Sequence, residues 1–500
     1  MAMNTSISAI PAEQFDQVAA WHLLNRVGYG GTPSQVNELQ GLGLDAAVDR
    51  LVDYAQIDVS HLPEVELDPD VMRKLTQDER KRYQTARREG NQDVLDEQRR
   101  FNLEARRADQ KMMNELRRWW FDRMTTTPRP AEDRLTLFWH GHFASSWRSV
   151  RDTYLMYRQH QMLRENANGN FSELARGIVR DPAMLKYLNN NQNNKRKPNE
   201  NLARELMELF TLGVGHYTEE DIKAGARALT GYHIDDNDFI FRQGQHDSTE
   251  KTILGKQGTF DGDDFVDILL RQDSCSKFVA AKLYDAFVAD VGDVYESVPA
   301  ENRQVIDRIA AELEKNNFEI KPVLTKLFKS QHFYSDDIVG KKIKDPTQLT
   351  VGTIRNLGLP TRDRSLIEKG MGAMGQVLFE PPTVDGWDGG RSWINTSTLF
   401  VRQNLTTYLI SNKHPAKKNN KKNLNLGYDP QSWLAQTDDK SSKAVTDFMI
   451  DHLVGPHTSA ARRAPAYDFV ASRETGGQMS NETLVALACL ITAMPEYQLC

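Results

Sequence analysis

The chain has 500 residues, of which 39% are hydrophobic and 26% charged, and its formal net charge is -6. This length exceeds what one hydrophobic core usually organises, and the composition excludes a disordered protein. The slightly acidic balance predicts no nucleic-acid partner, and three widely spaced cysteines exclude a disulfide framework.

The first half of the chain shows mostly helical periodicity. Residues 12–25 predict an amphipathic helix, and Thr32 before Pro33 predicts the start of the next one. Charged side chains dominate residues 70–124, which predicts a long, solvated helical arm broken near Gly90. Apolar and aromatic helices of the core are expected to follow.

The second half repeats this pattern after one interruption. Short alternating runs and glycines predict a small β-hairpin within residues 232–260. We therefore predict a mainly α fold, a multi-helical two-lobe bundle whose main domain covers residues 1–410. A basic linker over residues 411–427 and a C-terminal helical segment over residues 428–500, packed on the main domain, complete the predicted organisation.

Polar and charged side chains are concentrated in residues 189–220, NNNQNNKRKPNENLARELMELFTLGVGHYTEE. On a helical wheel, Arg204, Glu205 and Glu208 share one third of the circumference with Asn201. One interpretation is an ion pair between Arg204 and Glu208 on a solvent-exposed helix face. The other is a cleft in which Glu205 and Glu208 act as acid, base or metal ligands and Arg204 orients them.

Cations stand just before this helix. Lys195 and Arg196 precede a predicted helix start at Asn199, where free backbone amides favour an anion. Glu200 in the first turn opposes this, and cations in a loop are more often only solvated. Lys195, Arg196, Asn199 and Asn201 are the candidate substrate contacts of this segment.

Three histidines are candidate ligands of a divalent metal. His140 and His142 are two residues apart in WHGHF, so they diverge on a regular helix unless Gly141 disturbs it. With His216 or the two glutamates close by, an imidazole and carboxylate site would result. The alternative is that His140 and His142 form hydrogen bonds inside an aromatic core.

The loop PPTVDGWDGGRSWINTST is the second candidate binding element. Its glycines allow close backbone approach, Trp387 and Trp393 offer flat apolar faces, and Arg391 and Asn395 offer polar groups. Such a set suits a sugar or a peptide. It equally suits a buried loop that locks two helical lobes together.

No GxSxG, Walker, dinucleotide or CxxC motif is present, which excludes the simplest enzyme assignments. Five long stretches in order resemble the bacterial family named domain of unknown function 1800. They are WHLLNRVGYGGTPSQV, RLTLFWHGHFASS, PNENLARELMELFTLGVGHYTEEDIKAGARALTGY, KTILGKQGTFDGDD and PPTVDGWDGGRSWINTSTL.

The resemblance implies a genomic context rather than a reaction. Genes of that family commonly lie beside genes for domain of unknown function 1501, whose members look like exported sulfatase or phosphatase-like proteins. Many family members are thought to be exported as well. Here no leader and no apolar run long enough to span a bilayer is seen, which predicts a cytoplasmic protein and leaves export with a partner open.

Two hypotheses of different classes follow. The first is a hydrolase or transferase that acts on a polar or anionic polymer through a carboxylate and histidine cleft. The second is a non-catalytic helical binding or maturation partner of an exported sulfatase-like protein. In the second case the polar helix stripe and the charged arm are interfaces.

Overall fold

A computed structural model describes residues 3–292, 294–413, 426–435, 437–473 and 479–500. Within these ranges the fold is mainly α-helical, as predicted, with twenty-one helices and four short strands. Residues 414–425, most of the predicted basic linker, lie outside the described residues. The domain boundaries stay predictions.

Two helices open the described chain, α1 (Gln17–Val27) and α2 (Pro33–Val52). The first begins later than predicted because Asp16 caps it, accepting a hydrogen bond from the Ala19 amide at 2.9 Å. The predicted start of α2 is confirmed, with Pro33 in its first turn and Thr32 as its N-cap.

The charged arm consists of α3 (Gln77–Glu89) and α4 (Gln92–Thr126). Gly90 ends α3 in the left-handed conformation, so the predicted break is confirmed. The arm is shorter than predicted, because α4 enters the core at Asp109 and fully buries Leu116 and Trp120. Apolar residues three and four apart in this half of α4 form the stripe that packs.

The central helices lead towards the cleft described below. They are α5 (Pro130–His142), α6 (Trp147–Val150), α7 (Thr153–Glu165), α8 (Phe171–Arg180), α9 (Pro182–Tyr187), α10 (Asn201–Glu205) and α11 (Glu219–Ala228). Thr218 caps α11 as its sequence indicates, accepting a hydrogen bond from the Asp221 amide at 3.2 Å.

The predicted β element is two antiparallel hairpins instead of one. In the first, β1 (Tyr232–Asp235) pairs with β2 (Asp238–Phe241), and Tyr232 lies opposite Phe241. In the second, β3 (Lys251–Ile253) pairs with β4 (Lys256–Gly258). Both are short, and the described fold depends on helix packing.

The remaining helices complete two hydrophobic cores. They are α12 (Gly262–Leu270), α13 (Asp273–Phe287), α14 (Ala300–Lys315), α15 (Ile320–Phe328), α16 (Pro346–Leu357), α17 (Arg364–Ala373), α18 (Thr396–Ser411), α19 (Ser442–Val454), α20 (Ala460–Ala471) and α21 (Asn481–Thr492). One core joins α1, α2 and α8 to α12–α15, and the other joins the inner half of α4 to α16–α21.

Helix α5 contributes to both cores. Leu135 and Trp139 belong to the first core and Leu137 to the second. The C-terminal end of α5 therefore stands at the boundary between the two. In the described part of the chain, no helix combines the length and apolar composition needed to cross a bilayer.

Candidate functional site

An elongated cleft opens at the C-terminal end of α5, between α13 and the loop of residues 381–394. It contains two cavities of about 630 Å³ and 800 Å³. Leu209, Lys282 and Asp385 line both cavities, so the two are adjoining parts of one groove. Volumes of this size are typical of ligand-binding sites.

One face of α13 forms a wall of the whole groove. Its lining side chains include Ser274, Phe278, Lys282 and Asp285, which lie three or four residues apart, as one face of a helix requires. The Asp285 carboxylate accepts hydrogen bonds from the amides of Val291 at 3.0 Å and Gly292 at 3.1 Å. These bonds shape the turn that follows α13.

The opposite side is built around a π-helical turn, Leu206–Thr211, which continues directly from α10. The Leu212 amide bonds to the Met207 carbonyl, five residues back, at 2.9 Å. Turns of this type occur frequently at functional sites. Leu209 of this turn is only partly buried and lines both cavities.

The two glutamates of the predicted stripe are half-buried, but only Glu208 lines the groove, whereas Glu205 lies outside both cavities. Glu208 lines the second cavity, and its Oε2 accepts a hydrogen bond from the Tyr217 hydroxyl at 2.7 Å. Partial burial raises the pKa of Glu205, and the carboxylates of Glu208 and Asp385 raise it further against the opposing charge of Arg204. Glu205 therefore holds a proton more readily than an ordinary glutamate.

Arg204 is engaged elsewhere. Its guanidinium forms a bidentate ion pair with Glu219, with N–O distances of 2.8 Å and 2.9 Å. It also lies 3.3 Å from the Glu200 carboxylate. The expected Arg204–Glu208 pair is therefore replaced by one with the first turn of α11. In a regular α-helix, Arg204 and Glu208 would be neighbours on one face, because they are four residues apart. The wider π-helical turn changes the position of Glu208 relative to Arg204.

The tryptophan-bearing loop packs against α5 through two glycines. Gly386 has φ +89°, and a Cβ built on it would lie 2.4 Å from the Gly141 carbonyl oxygen. Only glycine fits there, because any side chain would push the loop off the helix. Asp385, Trp387, Arg391 and Trp393 consequently line the first cavity.

Other predicted substrate contacts lie outside the two cavities. The residues concerned are Lys195, Arg196, Asn199, Asn201 and Asn395. Asn395 caps α18 by accepting a hydrogen bond from the Thr398 amide at 2.9 Å. Asn199 accepts one from the Asn201 amide at 3.0 Å, whereas Lys195 and Arg196 are exposed.

The structure does not bring the three histidines together. His140 packs against Trp120, Phe379 and Trp387, and burial lowers its pKa to about 4. His142 lies among other aromatic rings, since two residues of an unbroken helix rotate it away.

His216 is exposed and lies 3.3 Å from Glu296. Across the described ranges, no group of three or more histidine, cysteine, aspartate or glutamate side chains is arranged to hold a metal ion.

Sequence reasoning missed Lys282, Asp385 and Tyr217. Lys282 lies where the cavities meet, above the Phe278 ring at 5.3 Å. Its place on the same helical face as Phe278 is visible in the sequence. The sequence does not show what that face opposes, because Leu209 and Asp385, which line the groove with Lys282, are more than seventy residues away in the chain.

A family model described as "Protein of unknown function (DUF1800)" matches residues 22–499. The match covers every residue of the groove and most of both cores. Neither a curated protein nor a solved structure matches the chain.

Proposed function

The chain belongs to the DUF1800 family, and we propose that its groove is the active site of a hydrolase or transferase that acts on an extended polar substrate. One observation carries this proposal. Two cavities join at Lys282 and Asp385, where Glu208 lines the second cavity and the pKa of Glu205 is raised. A groove with one carboxylate, Glu208, on its wall and a second, Glu205, close by in the same helix suits cleavage or transfer within a chain.

The carboxylates take different roles. Glu205, whose pKa is raised, donates a proton to the leaving group, and Glu208, held by Tyr217, accepts a proton from the attacking water or hydroxyl. The Lys282 ammonium stabilises negative charge that develops between them. Arg391 and Trp387 hold the substrate on the first-cavity side.

The test is a screen of the purified chain against three classes of polar polymer. Polysaccharides are assayed by new reducing ends, polypeptides by new amines and polyphosphate by released phosphate. Each assay is run in parallel on Glu205→Gln and Glu208→Gln, which keep the shape of the side chains and remove the carboxylate. General acid or base catalysis contributes about 10² to 10⁴ in rate, so each variant should lose at least about a hundredfold.

Lys256→Gln is the matched control, because Lys256 is exposed in β4 and does not line the groove. Turnover by the wild type and the control but not by the glutamate variants supports the proposal. Absence of turnover on all three polymers, or equal turnover by every variant, refutes it.

The second candidate function is docking, through the charged arm, to a protein of domain of unknown function 1501 whose gene lies nearby. Leu103 is 49% exposed on the solvated half of α4, amid charged side chains. Co-expression of the two proteins, with Leu103→Glu compared with Leu42→Glu on α2, tests this role. Leu42 is 45% exposed, close to the exposure of Leu103, but lies outside the arm, so Leu42→Glu is the matched control. Loss of co-purification with Leu103→Glu alone favours docking, and no co-purification by the wild type excludes it.

A further inference from the structure

The outer half of α4 presents four arginines around one leucine. In the segment RRFNLEARR, Leu103 has an arginine at each position three and four residues before and after it, and these are its neighbours on a helix. The positions are Arg99, Arg100, Arg106 and Arg107, and all four residues are exposed. Because α4 is a continuous α-helix, Leu103 and the four arginines share one side of it, the arginine face.

Most of the charge on the arginine face is not balanced within the described chain. Arg99 forms an ion pair with Asp96 at 2.7 Å, one turn away on the same helix. Arg100, Arg106 and Arg107 form no ion pair and no side-chain hydrogen bond with any described residue. Three guanidinium groups beside an exposed leucine are therefore available to a partner.

The arginine face does not hold the arm together. Phe101, on the opposite side of α4, is half-buried, and the Arg73 guanidinium lies over its ring at 5.0 Å. Leu103 is 49% exposed and lies about 14 Å along the helix axis from Met112, where α4 is buried in the core. The face is thus presented on an anchored helix, and such preorganisation lowers the entropic cost of binding.

We infer that the arginine face binds an acidic protein segment in which carboxylates surround an apolar side chain. Arginine forms paired hydrogen bonds with carboxylates and is enriched at protein interfaces. Contact with an apolar side chain also removes the surface of Leu103 from water, which a carboxylate alone does not do. The inference rests on the docking role proposed for the arm and assigns the chemistry of the surface that docks.

Two other anionic partners fit the arginine face less well. Nucleic acid presents a row of phosphates, which Asp93 and Glu104, exposed on the adjoining flank of α4, would repel. A helix that lies in a membrane surface buries a broad apolar face, whereas within RRFNLEARR the arginine face has Leu103 as its one apolar side chain.

The experiment measures binding of the purified full-length chain to short labelled helical peptides by fluorescence anisotropy. The first peptide has a central leucine with glutamates three and four residues to either side, and the second has glutamines at those four positions. The wild type should bind the glutamate peptide at least about tenfold more tightly than the glutamine peptide. Arg106→Glu combined with Arg107→Glu should weaken binding of the glutamate peptide by at least about tenfold, because two attractions become repulsions.

Arg87→Glu combined with Arg88→Glu is the matched control, because it reverses the same charge on two exposed residues of α3. Its affinity for the glutamate peptide should stay close to that of the wild type. Equal weakening by both double variants would show unspecific charge attraction and overturn the inference. Failure of the glutamate peptide to bind, or equal binding of the two peptides, overturns it as well.

Single-stranded DNA and phosphatidylserine vesicles are the remaining probes. If either binds the wild type more tightly than the glutamate peptide does, and Arg106→Glu with Arg107→Glu abolishes that binding, the arginine face belongs to that other class of partner and the inference is overturned. Weaker binding of both probes than of the glutamate peptide supports it.

Co-expression separates this result from the docking role. Suppose that the glutamate peptide binds through Arg106 and Arg107 but the domain of unknown function 1501 protein does not co-purify. That partner is then refuted, and the site for an acidic segment stands. Co-purification that Leu103→Glu abolishes and Arg106→Glu with Arg107→Glu leaves intact supports docking and refutes an acidic partner surface.

Discussion

The Tyr217 hydroxyl donates a 2.7 Å hydrogen bond to Glu208 Oε2. This bond links the segment before α11 to the π-helical turn and holds one carboxylate oxygen in place at the second cavity. The orientation of Glu208 therefore depends on a residue that lies beyond the glycine-rich turn.

Tyr217→Phe should lower kcat about tenfold, as expected for loss of one hydrogen bond to a charged group. The KM should change little, because Tyr217 does not line either cavity. Steady-state kinetics on the substrate found by the polymer screen would measure both constants. A rise in KM with unchanged kcat would contradict a positioning role for Tyr217.

Arg204→Gln should retain turnover, although loss of the guanidinium charge should raise the pKa of Glu205 further. Its side chain is 34% exposed and paired with Glu219 and Glu200, so the loss in free energy of unfolding should stay below about 1 kcal/mol. Urea denaturation and the same kinetic assay measure the two effects. A loss of turnover as large as that of Glu208→Gln would restore Arg204 to a catalytic role.

Gly386→Ala should displace the tryptophan-bearing loop. The added Cβ meets the Gly141 carbonyl oxygen at 2.4 Å, so the fluorescence of Trp387 should change and turnover should fall. Gly255→Ala is the control, since Gly255 also has positive φ (+76°) but no atom within 4 Å of the added Cβ. It should show only the left-handed backbone penalty of about 1 to 2 kcal/mol. Equal fluorescence changes in both variants would contradict the packing argument.

Asp181→Asn should make the protein less sensitive to alkaline pH. Burial raises the pKa of Asp181 to about 7, although the Met184 amide and the Gln159 side chain both donate to its Oδ1 at 2.7 Å. The protonated carboxyl contributes its full stability below the unfolded-state pKa, near 3.8. This stability is lost as pH rises towards 7, because the unfolded chain ionises first.

Between pH 5 and pH 8 the wild type should therefore lose about 2 kcal/mol more stability than Asp181→Asn. Asparagine keeps the Oδ1 acceptor and cannot ionise. Urea denaturation at both pH values measures the difference, and Asp16→Asn, an exposed cap on α1, is the control. Equal losses in wild type and Asp181→Asn would contradict a protonated Asp181.

Local patterns were enough to predict much of the fold. The helical class, the break at Gly90 and the start of α2 at Thr32 follow from periodicity and capping chemistry, which act over a few residues. The family resemblance is confirmed by the match over residues 22–499.

The sequence by itself singled out the glutamate stripe and the tryptophan-bearing loop as separate candidates. Only the tertiary structure placed Glu208, Lys282 and Asp385 on one groove, because their proximity arises where two cores pack around the end of α5. It likewise turned Arg204 towards Glu219, a residue on another helix. The π-helical turn over Leu206–Thr211 was also not predicted, because a helical wheel assumes 3.6 residues per turn throughout.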